Sequence, residues 1–136
     1  MEIECFLLCQ SAKNDKGEIT LSGLFDTLIV NGLPGALSCG TVFLRVRWFP
    51  SDAGKKIFQF AFLDPSGNEV SQKQSFVVEA PPHVSLHGIA SHYFTHLENA
   101  PIKSLGEHSI RFEIDGVMAK TLPLLLLPGG GEPKMN

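Results

Sequence analysis

The sequence predicts an all-β protein: a two-layer antiparallel β-sandwich of roughly seven to nine strands with little helix. Three observations carry this reading. Apolar residues recur at every second position in several segments, the period of a strand with one buried face. Turn residues punctuate the chain at short intervals. No long stretch favours a helix outright. Pattern alone does not separate a sandwich from a closed barrel.

The first apolar segment runs from Ile3 to Ala12 and ends in the polar turn Asn14-Asp15-Lys16-Gly17. Glu18 to Val30 reads as one long extended run, interrupted at Ser22-Gly23, where a glycine inside a strand pattern marks a bulge. Asn31 to Gly40 holds Gly32, Pro34, Gly35 and Gly40 and reads as a loop. In Thr41 to Phe49, Val42, Leu44, Val46 and Trp48 share one face, and Arg45 and Arg47 point the other way. In Lys55 to Asp64 the inward set is Phe58, Phe60 and Phe62. Asp64-Pro65-Ser66-Gly67 suits a type I turn that closes a hairpin, because proline presets φ at the second place and glycine suits the fourth. Asn68 to Glu79 returns with Val70, Phe76 and Val78 in register, and Pro81-Pro82 ends it.

Val84 to Leu97 is the least defined segment, and Asn99 to Gly106 is a loop. Ser109 to Ile114 places Ile110, Phe112 and Ile114 opposite Arg111 and Glu113. Asp115-Gly116 is the strongest hairpin signal, since a type I′ turn needs positive φ at both central residues. Val117 to Leu127 is the returning strand.

A chain of 136 residues, 43% of them hydrophobic, can bury one core without disulfides or metal. We expect a single domain over residues 1–127 and a flexible tail over 128–136. The net charge of −3, with no basic block, argues against nucleic acid and against a membrane surface. Two glutamates near the N-terminus do not suit a secretory signal, and three cysteines cannot all pair within the chain. These features favour a cytoplasmic protein.

Candidate chemistry is sparse. His83, His87, His92 and His96 are close in sequence. On a helix His92 and His96 could share a zinc ion, whereas on a strand they stand about 13 Å apart, too far for one metal. The alternation favours the strand and no metal site. Cys5 and Cys9 share a strand face as small apolar residues. Cys39, in a loop, is the best candidate for a reactive thiol. Asp26, flanked by apolar residues, either caps a backbone bend or is a buried acid. Arg45, Arg47 and Arg111 could form an anion-reading patch beside Glu113 if their strands are neighbours. No phosphate loop, dinucleotide fingerprint, nucleophile elbow or calcium loop is present, and no cofactor is expected.

The opening FLLCQSAKNDKGEITLSGLFDT, with Cys9, Gly23, Phe25 and Asp26, resembles the start of a family of short bacterial proteins of unknown function. The resemblance continues through LDPSGNEV and LGEHSIRFEIDG and covers most of residues 2–127, although His108 stands where relatives more often carry Tyr. It implies an immunoglobulin-like sandwich and brings no activity, cofactor or catalytic residue.

The expectation is therefore a non-catalytic interaction or structural module. The alternatives are a thiol enzyme or hydrolase built around Cys39, or a histidine-rich metal domain. In TLPLLLLP, Leu122, Leu124 and Leu126 face the core while Leu125 and Leu127 face out. Pro123 cannot donate to a ladder, which puts this strand at or near a sheet edge. Leu125 and Leu127 are the expected interface, to a second copy or to another bacterial protein, unless the 31–40 loop covers Leu125.

Overall fold

Tight turns at the predicted places fold the chain into hairpins, and the hairpins assemble into two sheets. The computed structural model describes residues 1–129 apart from 38, 39, 53, 83, 84 and 98. Eleven strands follow in order: β1 (Glu2–Asp15), β2 (Glu18–Leu24), β3 (Thr27–Val30), β4 (Gly35–Ala36), β5 (Thr41–Trp48), β6 (Lys55–Leu63), β7 (Gln74–Glu79), β8 (Ile89–His96), β9 (Pro101–Ile102), β10 (Gly106–Ile114) and β11 (Val117–Pro128). One sheet has the order β2-β1-β5-β8 and the other β3-β11-β10-β6-β7. These nine strands make the sandwich, and β4 and β9 form a two-residue pair outside it. The described residues contain no helix.

The turns follow the sequence chemistry. Asp115 and Gly116 both take positive φ, +50° and +83°, and join β10 to β11. Gly67 N–H donates to Asp64 C=O at 2.9 Å, closing the turn after β6. Lys16 and Gly17 also take positive φ and join β1 to β2.

The predicted inward faces form the core. Val42, Leu44, Val46 and Trp48 of β5 are fully buried, as are Phe58, Ile110, Phe112, Leu124 and Leu126 across from them. Trp48 stacks on Phe58, with ring centroids 6.2 Å apart and planes 6° from parallel. Phe112 meets Phe58 edge-on at 4.9 Å and stacks on Phe60 at 5.1 Å. Offset and edge-on contacts of this kind add to simple burial.

Two expectations need correction. Glu18 to Val30 is not one strand: Gly23 takes φ +70°, the chain crosses between layers at Phe25-Asp26, and β2 and β3 lie in different sheets. The sandwich is not wholly antiparallel, because β3 runs parallel to β11, with Leu125 opposite Thr27 and Leu127 opposite Ile29. β3 pairs alongside Leu125, and of the 31–40 segment Gly35–Ala36 pairs with β9. Of the predicted tail, Pro128 closes β11, and residues 130–136 lie outside the described residues.

Candidate functional site

The three arginines do not meet. Arg45 and Arg47 lie on β5 in one sheet and Arg111 lies on β10 in the other, so their outward side chains leave from opposite faces of the sandwich. Arg111 does reach Glu113, at 3.5 Å, beside Lys73 at 3.0 Å from the same carboxylate. Glu113 is buried although it points outward.

Arg45 and Arg47 belong to a network that the sequence pattern does not reveal. The register between β1 and β5 shifts between Ile3 and Cys5, so Glu4 sits at a bulge. A bulge re-aims a side chain, and here the Glu4 carboxylate bridges both arginines, with Arg47 Nε at 2.6 Å and Arg45 Nε at 2.7 Å. The two guanidinium groups, Arg47 first, hold the Glu4 carboxyl below the usual carboxylate range. Arg45 Nη1 also donates to His92 Nε2 at 2.7 Å. Arginine can only donate, so the neutral ring accepts at Nε2 and carries its proton on Nδ1. Burial, reinforced by Arg45, holds the His92 imidazole below its usual range. Arg47 Nη1 reaches His87 C=O at 3.2 Å.

Beside this network the outward face is apolar. His92 stacks on Phe43 at 5.7 Å, and Phe94 lies 5.4 Å from Phe43. Phe43 is only 4% exposed: His92 and Phe94 pack against it, and Ile19 and Leu21 of the β1–β2 hairpin wall the hollow beside it. Leu7, opposite Phe43, and Phe94 were the available signal: three apolar residues share this outward face on adjacent strands.

The remaining candidates fall apart as ligands. His92 and His96 lie on strand β8, and Thr41 Oγ1 is the His96 Nδ1 partner at 3.2 Å. Among the described residues no three metal-ligating side chains come together. Cys39 and His83 lie outside the described residues. Burial pushes the Cys5 and Cys9 thiols up, away from the thiolate form. Asp26 is exposed; its side chain accepts from Thr27 Oγ1 at 3.1 Å, and its carbonyl accepts from Leu125 N–H at 2.8 Å. A cavity of about 520 Å³ under residues 28–37 has no titratable side chain in its wall.

The C-terminal strand is the other candidate. Leu124 and Leu126 are fully buried, Leu125 is half-buried and Leu127 is 38% exposed. Ile29, opposite Leu127 on β3, is 60% exposed. Pro123 is exposed on the same outward face as Leu125. β11 is a sheet edge only over Val117–Leu124, because β3 covers the rest. Between that open edge and β1 lies a hollow of about 330 Å³ walled by Leu7, Leu8, Leu24, Phe25, Asp26, Leu122 and Pro123.

A family model described as a family of unknown function (DUF6941) matches residues 4–126. No curated protein matches the chain. The match spans nearly the whole sandwich, from the Glu4 bulge to Leu126, and the chain belongs to that family of unknown function.

Proposed function

We propose that the protein is a non-catalytic interaction module that self-associates through the outward face at the C-terminal end of β11. The observation that carries this is the side-by-side placement of Leu125, Leu127 and Ile29, apolar and outward on paired strands. Exposed apolar residues that are contiguous mark interfaces more often than scattered ones do. A two-fold axis would set this patch against its own copy, with Glu107, opposite Leu125 on β10, at the rim. Among the described residues, the polar side chains of the β1-β5-β8 face are engaged with one another: Glu4 with Arg45 and Arg47, and Arg45 with His92.

The strand order supports an immunoglobulin-like reading. β6, β10 and β11 take the places of strands C, F and G, β7 extends that sheet as an added strand does in variable-type domains, and β1-β5-β8 take the places of A, B and E. Cys5 and Cys9, about 13 Å apart along one strand, cannot bridge each other, which suits a reducing cytoplasm. The described residues hold no helix long and apolar enough to cross a membrane.

Sedimentation of the wild type against Leu125→Lys tests the self-association. The expected result is a wild-type dimer at high micromolar concentration and a monomeric variant. Identical monomers would sink self-association through this face.

A further inference from the structure

The vacant part of the β11 edge has a definite shape. Of the twelve residues of β11, four pair with β3, which leaves the eight from Val117 to Leu124 without a paired strand on that side among the described residues. That is about 27 Å of strand. The line β3 occupies stops at Asp26, whose carbonyl takes the Leu125 N–H, because the chain crosses there to the other sheet and Phe25 N–H donates to Leu8 C=O at 3.1 Å.

Backbone groups alternate sides along a strand. Since Leu125 N–H points toward β3, Thr121 N–H and the Pro123 nitrogen point to the same side, and the register with β10 is unbroken from Thr121 to Leu126. The open edge thus offers the Thr121 N–H and C=O and the Pro123 C=O, with no donor at Pro123. The 330 Å³ hollow lies where the line of β3 would continue past Pro123 and Leu122. Leu24 in its wall is 60% exposed, and Val117 and Met118 further along the edge are 70% and 57% exposed. On the inward side of the strand, Lys120 stands two residues from Leu122 and is exposed.

We propose that this edge accepts an extended segment of another polypeptide as an added strand, in line with β3. The segment places a large apolar side chain in the hollow beside Leu122 and an acidic side chain, two residues away, against Lys120. Main-chain pairing supplies affinity in such an arrangement, and alternate side chains supply specificity. Pro123 and Lys120 are the residues that discourage indiscriminate edge pairing, so a segment must match both the missing donor and the charge. The proposal deepens the interaction-module reading and names a partner other than a second copy.

The probe is a displayed library of random peptides panned on the full chain, with binders measured by calorimetry. Selected peptides are expected to carry a large apolar residue two places from Asp or Glu, and to slow exchange of the Thr121 amide. Thr121→Pro removes a donor that no native strand uses, so melting should stay near wild type while peptide affinity falls at least about ten-fold, the worth of one such bond. Leu24→Asp, at an exposed site, should weaken the same peptides, and Ile57→Lys on β6 should not. Recovery of no binder, or equal binding by Thr121→Pro, overturns the proposal. If Thr121→Pro instead breaks a wild-type dimer, the occupant is a second copy and the partner-strand proposal is wrong. Monomeric wild type with peptide binding at Thr121 supports strand addition and sinks self-association through Leu125.

Discussion

The outward faces of the two sheets treat their exposed groups in opposite ways. On the β1-β5-β8 face the groups that could bind something are already matched: Glu4 satisfies two arginines, Arg45 satisfies His92, and Phe43 is buried against His92 and Phe94. On the β3-β11 side the apolar residues are left uncovered, and eight of the twelve residues of β11 have no paired strand on that edge among the described residues. Charge and aromatic residues alone therefore do not locate a binding surface. What locates one is the remainder after internal partners are counted.

The largest test of this contrast is to truncate on each side. Phe43→Ala should cost about 3–5 kcal/mol in urea unfolding, as a core aromatic would, although Phe43 points outward. Ile29→Ala and Leu127→Ala, in dilute solution, should change stability by no more than about 0.5 kcal/mol. If Phe43→Ala is as mild as the other two, the packing around Phe43 does not seal the first face.

A smaller effect is expected at Gly88, which takes φ +80° and lets its turn lie against the arginine end of the same face. An added Cβ would stand 2.7 Å from the Trp48 carbonyl oxygen and 2.8 Å from Arg47 Cγ. Gly88→Ala should lower stability by about 1–3 kcal/mol in the same assay, and a neutral result would mean that the turn is free to move away.

The mildest test is titration. His92 and Glu4 both have lowered folded-state pKa values, so the folded protein binds fewer protons than the unfolded chain at each. Both contributions are fully present above the unfolded pKa values and are lost as pH falls through the folded ones. Acid should therefore weaken the protein in two stages, starting below about 6.5 for His92 and below about 4.3 for Glu4. His92→Gln should flatten the upper stage and Glu4→Gln the lower one in melting temperatures measured against pH. Stability that rises on acidification through either stage would contradict the assigned contacts.

Much of the sandwich is legible in the sequence because period-two alternation and turn chemistry are local. Val42 to Trp48, Phe58 to Phe62 and Leu122 to Leu126 announce their inward faces, and Asp115-Gly116 announces its turn. Layer assignment is not local. Arg111 and Arg45 look alike in their strands, and only strand order puts them on opposite faces. The parallel β3 is hidden because its four residues continue the pattern of β2, and nothing in Phe25-Asp26 announces a change of sheet. Glu4 is hidden because a bulge breaks the alternation by which sides are read. The outward direction of Leu125 and Leu127 was readable; that β3 would pair with only the last third of their strand was not.

Trp48 is the sole tryptophan, and its placement gives the molecule a built-in optical gauge. Its ring is fully buried against Phe58 of the opposite sheet, and its indole N–H donates to Ser91 Oγ on the neighbouring strand at 3.2 Å. Parting the layers or peeling away β8 would wet the indole and move its emission to longer wavelength. Trp48 lines no part of the hollow beside β11, so a peptide adding there should leave the emission in place. One fluorescence trace thus distinguishes a segment that docks on the folded sandwich from one that binds by opening it.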